Sequence, residues 1–279
     1  MGKTDSAEFT AFAEFERSGW ARRGDTYDSG FGAMTAGLHG RLLDAAGVGR
    51  GSSVLEVGCG SGRLAATALD RGAVVTATDA VPEMVEVAAR ALPGTRVLQA
   101  ALPGLPPELL AGSYDAAVGA FVINHVPDPA GAVAELARAV RPGGLVALSC
   151  WDTLDRNRAQ GIFFDAVRAV GALPPADLPG TSPFAPYASP DAFATLLREA
   201  GLTAVTVHQV TWTHRVTPDQ WWQDVLSGTV LTSSLIEGQT PAIIAKIRAE
   251  YDHLTAEFRE GTQAALPVAA LLAVGTRVA

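Results

Sequence analysis

Three glycines at every second position, Gly58, Gly60 and Gly62, follow the β-prone run Val54-Leu55-Glu56-Val57. Glycine permits positive φ and lets a bound molecule touch the backbone directly. The helix expected from about Arg63 adds unpaired N–H groups and the positive end of its dipole. Together these make a cradle for a nucleotide-like ligand. It is not a P-loop, because no G-x-x-x-x-G-K-[ST] run exists. Asp79 closes the next strand-like run, about 20 residues on, where an acid is placed to grip the two hydroxyls of an adenosine ribose. Two charge-assisted hydrogen bonds of that kind are worth roughly 2–4 kcal/mol together. The same carboxylate can also cap the helix expected over 82–91.

Those residues need a sheet to hold them. SVLEV (53–57), VVTATD (74–79), RVLQA (96–100), YDAAVGAF (114–121) and GLVALSCW (144–151) are short, apolar runs. Helical stretches at 62–71, 82–91 and 129–140 separate them, the last with Val133, Leu136, Ala137 and Val140 on one face. Alternation of this kind predicts an α/β fold with a parallel sheet and helices on both faces. Beyond 151 the pattern changes. A helical stretch over 152–173 leads into a proline-rich loop or hinge over 174–190. A helix over 189–202 follows, with Ser189 as N-cap and Gly201 as its stop. A long strand (204–215), helices over 218–262 and a last strand (266–278) complete the chain. The last two strands are joined directly, so they are expected to be antiparallel neighbours. The expected organisation is an N-terminal helical lid segment (1–45), a cofactor-binding core (46–151), a lid insertion (152–188), a core helix and strand (189–215), a helical lid insertion (216–264) and the last core strand (265–279). Both insertions should emerge at the carboxyl rim of the sheet, where open α/β sheets bind ligands.

Composition narrows the function. The chain has 279 residues, 48 % of them apolar, and a net charge of −8. No Lys/Arg run exceeds Arg22-Arg23, which disfavours nucleic acid and anionic membrane surfaces as partners. Cys59 and Cys150 show no disulfide or zinc spacing, and no cluster suggests a metal, so none is expected. The N-terminus lacks an apolar signal region and no run is long enough to span a bilayer. The expectation is a cytoplasmic protein, monomeric or homodimeric.

A dinucleotide-binding fold would share the glycines and the acid. The remaining motifs separate the two cases. The glycine pattern here is E-x-G-x-G-x-G (Glu56, Gly58, Gly60, Gly62), whereas the dinucleotide form G-x-G-x-x-G is broken by Arg63. Asp79 is followed by VPEMVEVA, and further on come SYDAAVGAFVINHVPDP and RAVRPGGLVALSC. In this combination, over residues 20–151, the sequence resembles the class I S-adenosylmethionine-dependent methyltransferases, of the small-molecule type. The resemblance implies a Rossmann-like, mostly parallel seven-stranded sheet with its last strand antiparallel, plus a helical lid. It implies S-adenosylmethionine as cofactor, with Glu56 and the Gly58-Cys59-Gly60 backbone at the methionine end, Asp79 on the ribose, and Ala80 and Met84 beside the adenine. The family's acid for the adenine amino group is replaced by Ala100, leaving the backbone of Ala101 and Leu102 for that contact. Phe121 would border the sulfonium, and Trp20 and Tyr27 would close over the cofactor.

Methyl transfer from a sulfonium is an in-line displacement whose leaving group departs neutral. The protein mainly orients and excludes water. A base is needed only where the nucleophile must lose a proton, and His125, just past the fourth strand, is the candidate; it can equally shape the turn before Pro127. Of the other histidines, His39 can face the pocket, while His208, His214 and His253 read as structural or surface residues. Phe163, Phe164, Phe184, Tyr187, Trp212, Trp221, Trp222 and the run 228–234, including Thr229, are candidates for lining a flat, largely apolar acceptor site. The expected activity is methylation of a small aromatic metabolite at O, N or an electron-rich carbon, in secondary metabolism. The alternatives are a protein that binds S-adenosylmethionine without transferring methyl, and a methyltransferase of protein or RNA.

Overall fold

Apolar runs bounded by glycines and prolines become the strands. In the computed structural model they are Ser53–Val57 (β1), Val74–Asp79 (β2), Arg96–Gln99 (β3), Tyr114–Gly119 (β4), Val140–Trp151 (β5), Leu202–Val216 (β6), Arg259–Glu260 (β7) and Gln263–Arg277 (β8). The structure describes residues 3–24, 26–176, 178–179 and 182–278; positions 1, 2, 25 and 279, and three positions of the proline-rich 174–190 stretch, lie outside the described residues.

The sheet order is β3-β2-β1-β4-β5-β8-β6, with β7 on β8. Strands β1 to β5 pair in parallel. Strand β8 runs antiparallel between β5 and β6. This is the predicted Rossmann-like sheet; the two-residue β7 is an addition that no sequence pattern announced. Alternate residues serve opposite faces. Leu55 and Val57 pack with the Pro129–Ala139 and Pro190–Glu199 helices, and Val54 packs with the His39–Ala45 and Arg63–Asp70 helices. The predicted stripe Val133, Leu136, Ala137 and Val140 lies in the first of these cores. Its helix is started by Asp128, whose side chain accepts from Gly131 N–H at 2.9 Å.

A third apolar core builds a helical cap over the sheet. It joins Phe31 and Met34 of the N-terminal segment to the Arg158–Ala169 helix and to the Pro218–Gly228, Leu231–Glu237 and Pro241–Thr255 helices. Polar bonds tie the pieces together. Trp221 Nε1–H donates to Ala159 O at 2.8 Å, and Thr26 Oγ1–H donates to Ser227 O at 2.7 Å. Arg23, its side chain buried, donates to Gly19 O and Ser233 Oγ.

Candidate functional site

Parallel register brings the carboxyl ends of β1, β2 and β4 to one rim, with Val57 opposite Thr78 and Glu56 opposite Val118. The loop after β1 turns tightly there. Gly58 and Gly60 sit at φ +64° and +53°, and a Cβ on Gly58 would stand 2.3 Å from Val122 Cγ2. Only glycine meets both demands at position 58. Asp79, at the tip of β2, reaches back to the loop. Its Oδ2 accepts from Gly60 N–H at 2.9 Å and its Oδ1 from Val81 N–H at 3.0 Å. Burial pushes its carboxyl above the ordinary range, and these backbone donors hold it back.

Glu56 lies beneath the same loop. It is 2 % exposed, and its Oε2 has no partner among the described residues. Burial, reinforced by the charge of Asp79, pushes its carboxyl up to about 8. Cys59 is also buried under the loop, and burial raises its thiol. Neither side chain lines a cavity. For Cys59, this turns attention to its backbone, whose N–H donates to Thr78 O at 2.9 Å.

A cavity of about 430 Å³ opens above the loop. Gly58, Gly60, Asp79, Ala80 and Met84 form one wall, and Ala100, Ala101 and Leu102 form another. The second wall carries no acid. Its backbone is fixed instead from the Pro129–Ala139 helix: Glu135 Oε2 accepts from Gly104 N–H at 2.8 Å and Leu105 N–H at 3.0 Å. Trp20, Tyr27, Phe121 and His125 close the cavity. Phe121 holds the left-handed conformation at φ +60°, its N–H bonded to Ser149 Oγ at 3.0 Å and its ring stacked on Trp151 at 3.8 Å. A non-glycine residue in that region is uncommon and persists where its surroundings fix it.

The N-terminal segment roofs this cavity. Tyr27 meets Trp20 edge-on at 5.5 Å, and Trp20 meets His125 edge-on at 5.3 Å. Asp28, on a short π-helical turn (Asp28–Gly32), accepts from Ser61 Oγ–H at 2.6 Å and from Arg63 Nε–H at 2.5 Å. Such turns concentrate at functional sites. Sequence reasoning missed Glu16. Its Oε2 accepts from Trp20 Nε1–H at 2.9 Å and lies 2.9 Å from His125 Nδ1. Against a carboxylate, Nδ1 carries the proton and Nε2 is left as an acceptor. The only local signal was the Glu16-Trp20 spacing of one helical turn.

A second cavity, of about 190 Å³, adjoins the first. Glu16, Trp20, Phe31, His125 and Trp151 border both. Of the residues expected at an acceptor site, Phe164 and, from the run 228–234, Thr229, Val230, Leu231 and Thr232 line this cavity. Phe163, Phe184, Tyr187, Trp212, Trp221 and Trp222 line neither, which corrects that expectation. Phe163 packs 4.7 Å from Tyr251 and 5.7 Å from Trp222 inside the cap. Trp221 stacks on Phe31 at 5.9 Å with its N–H spent on Ala159. Tyr187 rests against Phe184 at 6.0 Å over the sheet core. Large rings are needed there to glue cap helices, and that demand takes them away from the cavities. Trp212 likewise donates to Met34 O at 3.0 Å. His39 is buried, pushed down to about 4, and lines neither cavity. His214 is half-buried 4.6 Å from Trp221; His208 and His253 are exposed. Among the described residues no cluster of His, Cys, Asp or Glu is placed to hold a metal, and no helix is long and apolar enough to cross a membrane.

Residues 55–148 match a family described as a methyltransferase domain. The chain is 35 % identical over 165 residues to an uncharacterised methyltransferase of Mycobacterium tuberculosis, a match spanning 59 % of each chain. It is 32 % identical over 230 residues to a ubiquinone biosynthesis O-methyltransferase of Thiobacillus denitrificans, covering 78 % of this chain and 94 % of that one. Two solved structures share the fold: the YcgJ protein of Bacillus subtilis (TM-score 0.53, 18 % identity, 86 % of this chain and 98 % of that one), and an Anabaena variabilis protein from an antibiotic biosynthesis pathway (0.57, 14 %, 89 % and 98 %).

Proposed function

The chain belongs to the class I S-adenosylmethionine-dependent methyltransferases, and from that premise we propose that it methylates a small, largely apolar aromatic metabolite at O, N or an electron-rich carbon, in secondary metabolism. The observation that carries this reading is the pair of adjoining cavities with His125 in their shared wall.

The residues of the larger cavity fit the family's cofactor. A side-chain-free loop and the Asp79 carboxylate line it, and behind the loop lies a second buried carboxylate with an unpartnered oxygen, Glu56; this set suits a ligand with an ammonium group and a ribose. Glu56 and the Gly58–Gly60 backbone would hold the methionine end, and Asp79 the ribose. Ala80, Met84 and the Ala101-Leu102 backbone would hold the adenine, with Phe121 beside the sulfonium and Trp20 and Tyr27 above. When bound, this group supplies an electrophilic methyl: the acceptor forms the new bond to carbon while the S–CH₃ bond breaks and its electron pair stays on a neutral thioether.

The chain's own work is orientation, exclusion of water and custody of one proton. His125 Nε2 takes the proton from an acceptor hydroxyl or N–H group, and Glu16 steadies the imidazolium that results. The aromatic wall of Trp20, Phe31 and Trp151 keeps water from the reacting atoms. The acidic charge and lack of a basic stripe favour a small-molecule partner over nucleic acid. The reading also includes a cytoplasmic setting and a monomer or homodimer. Calorimetric titration with S-adenosylmethionine and its demethylated product tests the proposal. Both should give heat with wild type, and Asp79→Ala should weaken both at least tenfold. No heat with either, or an Asp79→Ala variant that binds as wild type does, would end it.

A further inference from the structure

The wall of the larger cavity that lacks an acid is a loop held at both ends. Ala100 N–H donates to Asp79 O at 2.9 Å, which ties the start of the loop to the tip of β2. At the far end the N–H groups of Gly104 and Leu105 converge on one oxygen, Glu135 Oε2, at 2.8 and 3.0 Å. Two successive N–H groups aimed at one anion make a compact anion site, and hydrogen bonds to a carboxylate are the stronger kind. Between these anchors stand Ala101 and Leu102, both in the cavity wall. Their backbone N–H and C=O groups have no hydrogen-bond partner among the described residues. Glu135 itself lines neither cavity, so whatever it does for a bound molecule it does through this loop.

The free backbone groups matter because of what is missing beside them. A carboxylate at position 100 would accept from the amino group of an adenine and do no more. A backbone segment offers a donor and an acceptor together, the pattern that answers both the amino group and N1 of adenine. Hypoxanthine presents the reverse, an acceptor at its 6-oxygen and a donor at N1, and leaves such a pair unsatisfied. Rejection of that kind is strong only where the pair is held and cannot swing to suit either base. Apolar anchors keep this loop on the protein: Leu102 and Leu105 are 7 % and 5 % exposed and pack in the sheet core. They are non-directional and leave the peptide groups between them free to tilt. The polar tether that opposes the tilt is Glu135.

We propose that Glu135 is a positioning residue that sets base specificity in the donor site: by holding Gly104 and Leu105 it fixes the Ala101-Leu102 backbone so that the loop takes adenine and refuses hypoxanthine, without an acid at position 100. The proposal rests on the methyltransferase reading and deepens it. The carboxylate comes from the Pro129–Ala139 helix, whose Ala132, Val133 and Leu136 are buried in the same core as Leu102 and Leu105. Helix and loop are thus already packed together, and the tether adds direction to a contact that apolar burial has made.

The test is calorimetry on the full chain with S-adenosylhomocysteine and S-inosylhomocysteine, which differ only at the 6-position of the purine and in the N1 proton that follows from it. Wild type should prefer the adenine compound by about tenfold or more. Glu135→Ala should bring that preference below about threefold, chiefly by weakening the adenine compound. Amide exchange over residues 100–105 should quicken in the same variant, while the buried leucines keep the protein folded. Glu135→Gln, whose side-chain carbonyl still accepts from the two N–H groups, should restore most of the preference. A preference that survives Glu135→Ala, a loss shared equally by both compounds, or unchanged amide exchange overturns the positioning role. So does a wild type that binds both compounds equally, which leaves the cofactor reading standing. A wild type that binds neither removes the cofactor reading and this inference with it.

Discussion

Glu16 Oε2 and His125 Nδ1 stand 2.9 Å apart although 109 positions separate them in the chain. The carboxylate comes from the N-terminal helix and the imidazole from the rim of the sheet. The imidazole therefore meets this carboxylate only when that helix is seated.

Substituting Glu16 tests this directly. Glu16→Gln keeps the size and removes the charge that would steady an imidazolium. For an O or N acceptor, kcat should fall about tenfold or more, and His125→Ala should lose roughly 10²–10⁴-fold. Calorimetric affinity for S-adenosylhomocysteine should hold in Glu16→Gln. If His125→Ala keeps most of its turnover, the acceptor is a carbon that needs no base.

Glu56 should release a proton when the cofactor binds. With its carboxyl pushed up to about 8, it is mostly neutral at pH 7 in the ligand-free protein, and an ammonium group beside it favours the charged form. Titrations in buffers of different ionisation enthalpy should show that proton, and Glu56→Gln should not.

The same carboxyl links stability to pH. Its folded value lies above the ordinary value of 4.5, so the folded state holds the proton more tightly between the two. This contribution is complete below about pH 4.5 and fades as pH rises toward about 8. Tm of the ligand-free protein should decline across that window, and Glu56→Gln should flatten the decline. A wild-type Tm that rises across it would reverse the assigned sign.

Asp28 latches the N-terminal segment to Ser61 and Arg63. The ion pair is about two-fifths exposed, so its contribution is small. Asp28→Ala should weaken cofactor binding by no more than about fivefold, yet raise the rate at which protease cuts near residues 20–30. Unchanged cleavage would mean that the aromatic contacts alone hold the segment.

Gly58→Ala should be far more damaging than its size suggests. The new methyl meets Val122 at 2.3 Å and the backbone sits at φ +64°. Left-handed strain and overpacking together should cost at least about 2 kcal/mol, read as a fall in Tm. Gly171→Ala, also at positive φ but with open space around it, provides the comparison: it should show the conformational cost without the collision.

Much of the frame was legible because its signals are local. Val54 to Val57 stop on glycines, and Asp79 ends an apolar run, so the strand ends and the loop between them follow from short-range rules. The acceptor side was less legible. Phe163, Trp221 and Trp222 were chosen for residue type, but a helical stripe of rings does not say whether it faces a cavity or a neighbouring helix. The cap needed them for its own core. Glu16, Phe31 and Trp151 escaped notice for the opposite reason. Each is ordinary in its own helix or strand, and becomes a cavity wall only when distant segments meet. Ala100 marked a missing acid, but nothing nearby in sequence announced that Glu135 would fix that loop from another helix.

The second cavity draws Phe164, Thr229, Val230, Leu231 and Thr232 from the cap, and none of them touches the larger cavity. On the proposed function, mutational drift at those positions would reshape what the protein accepts without disturbing how it grips its donor. New chemistry would then be explored at the cap positions, while any change at the five shared wall residues would be felt by both guests.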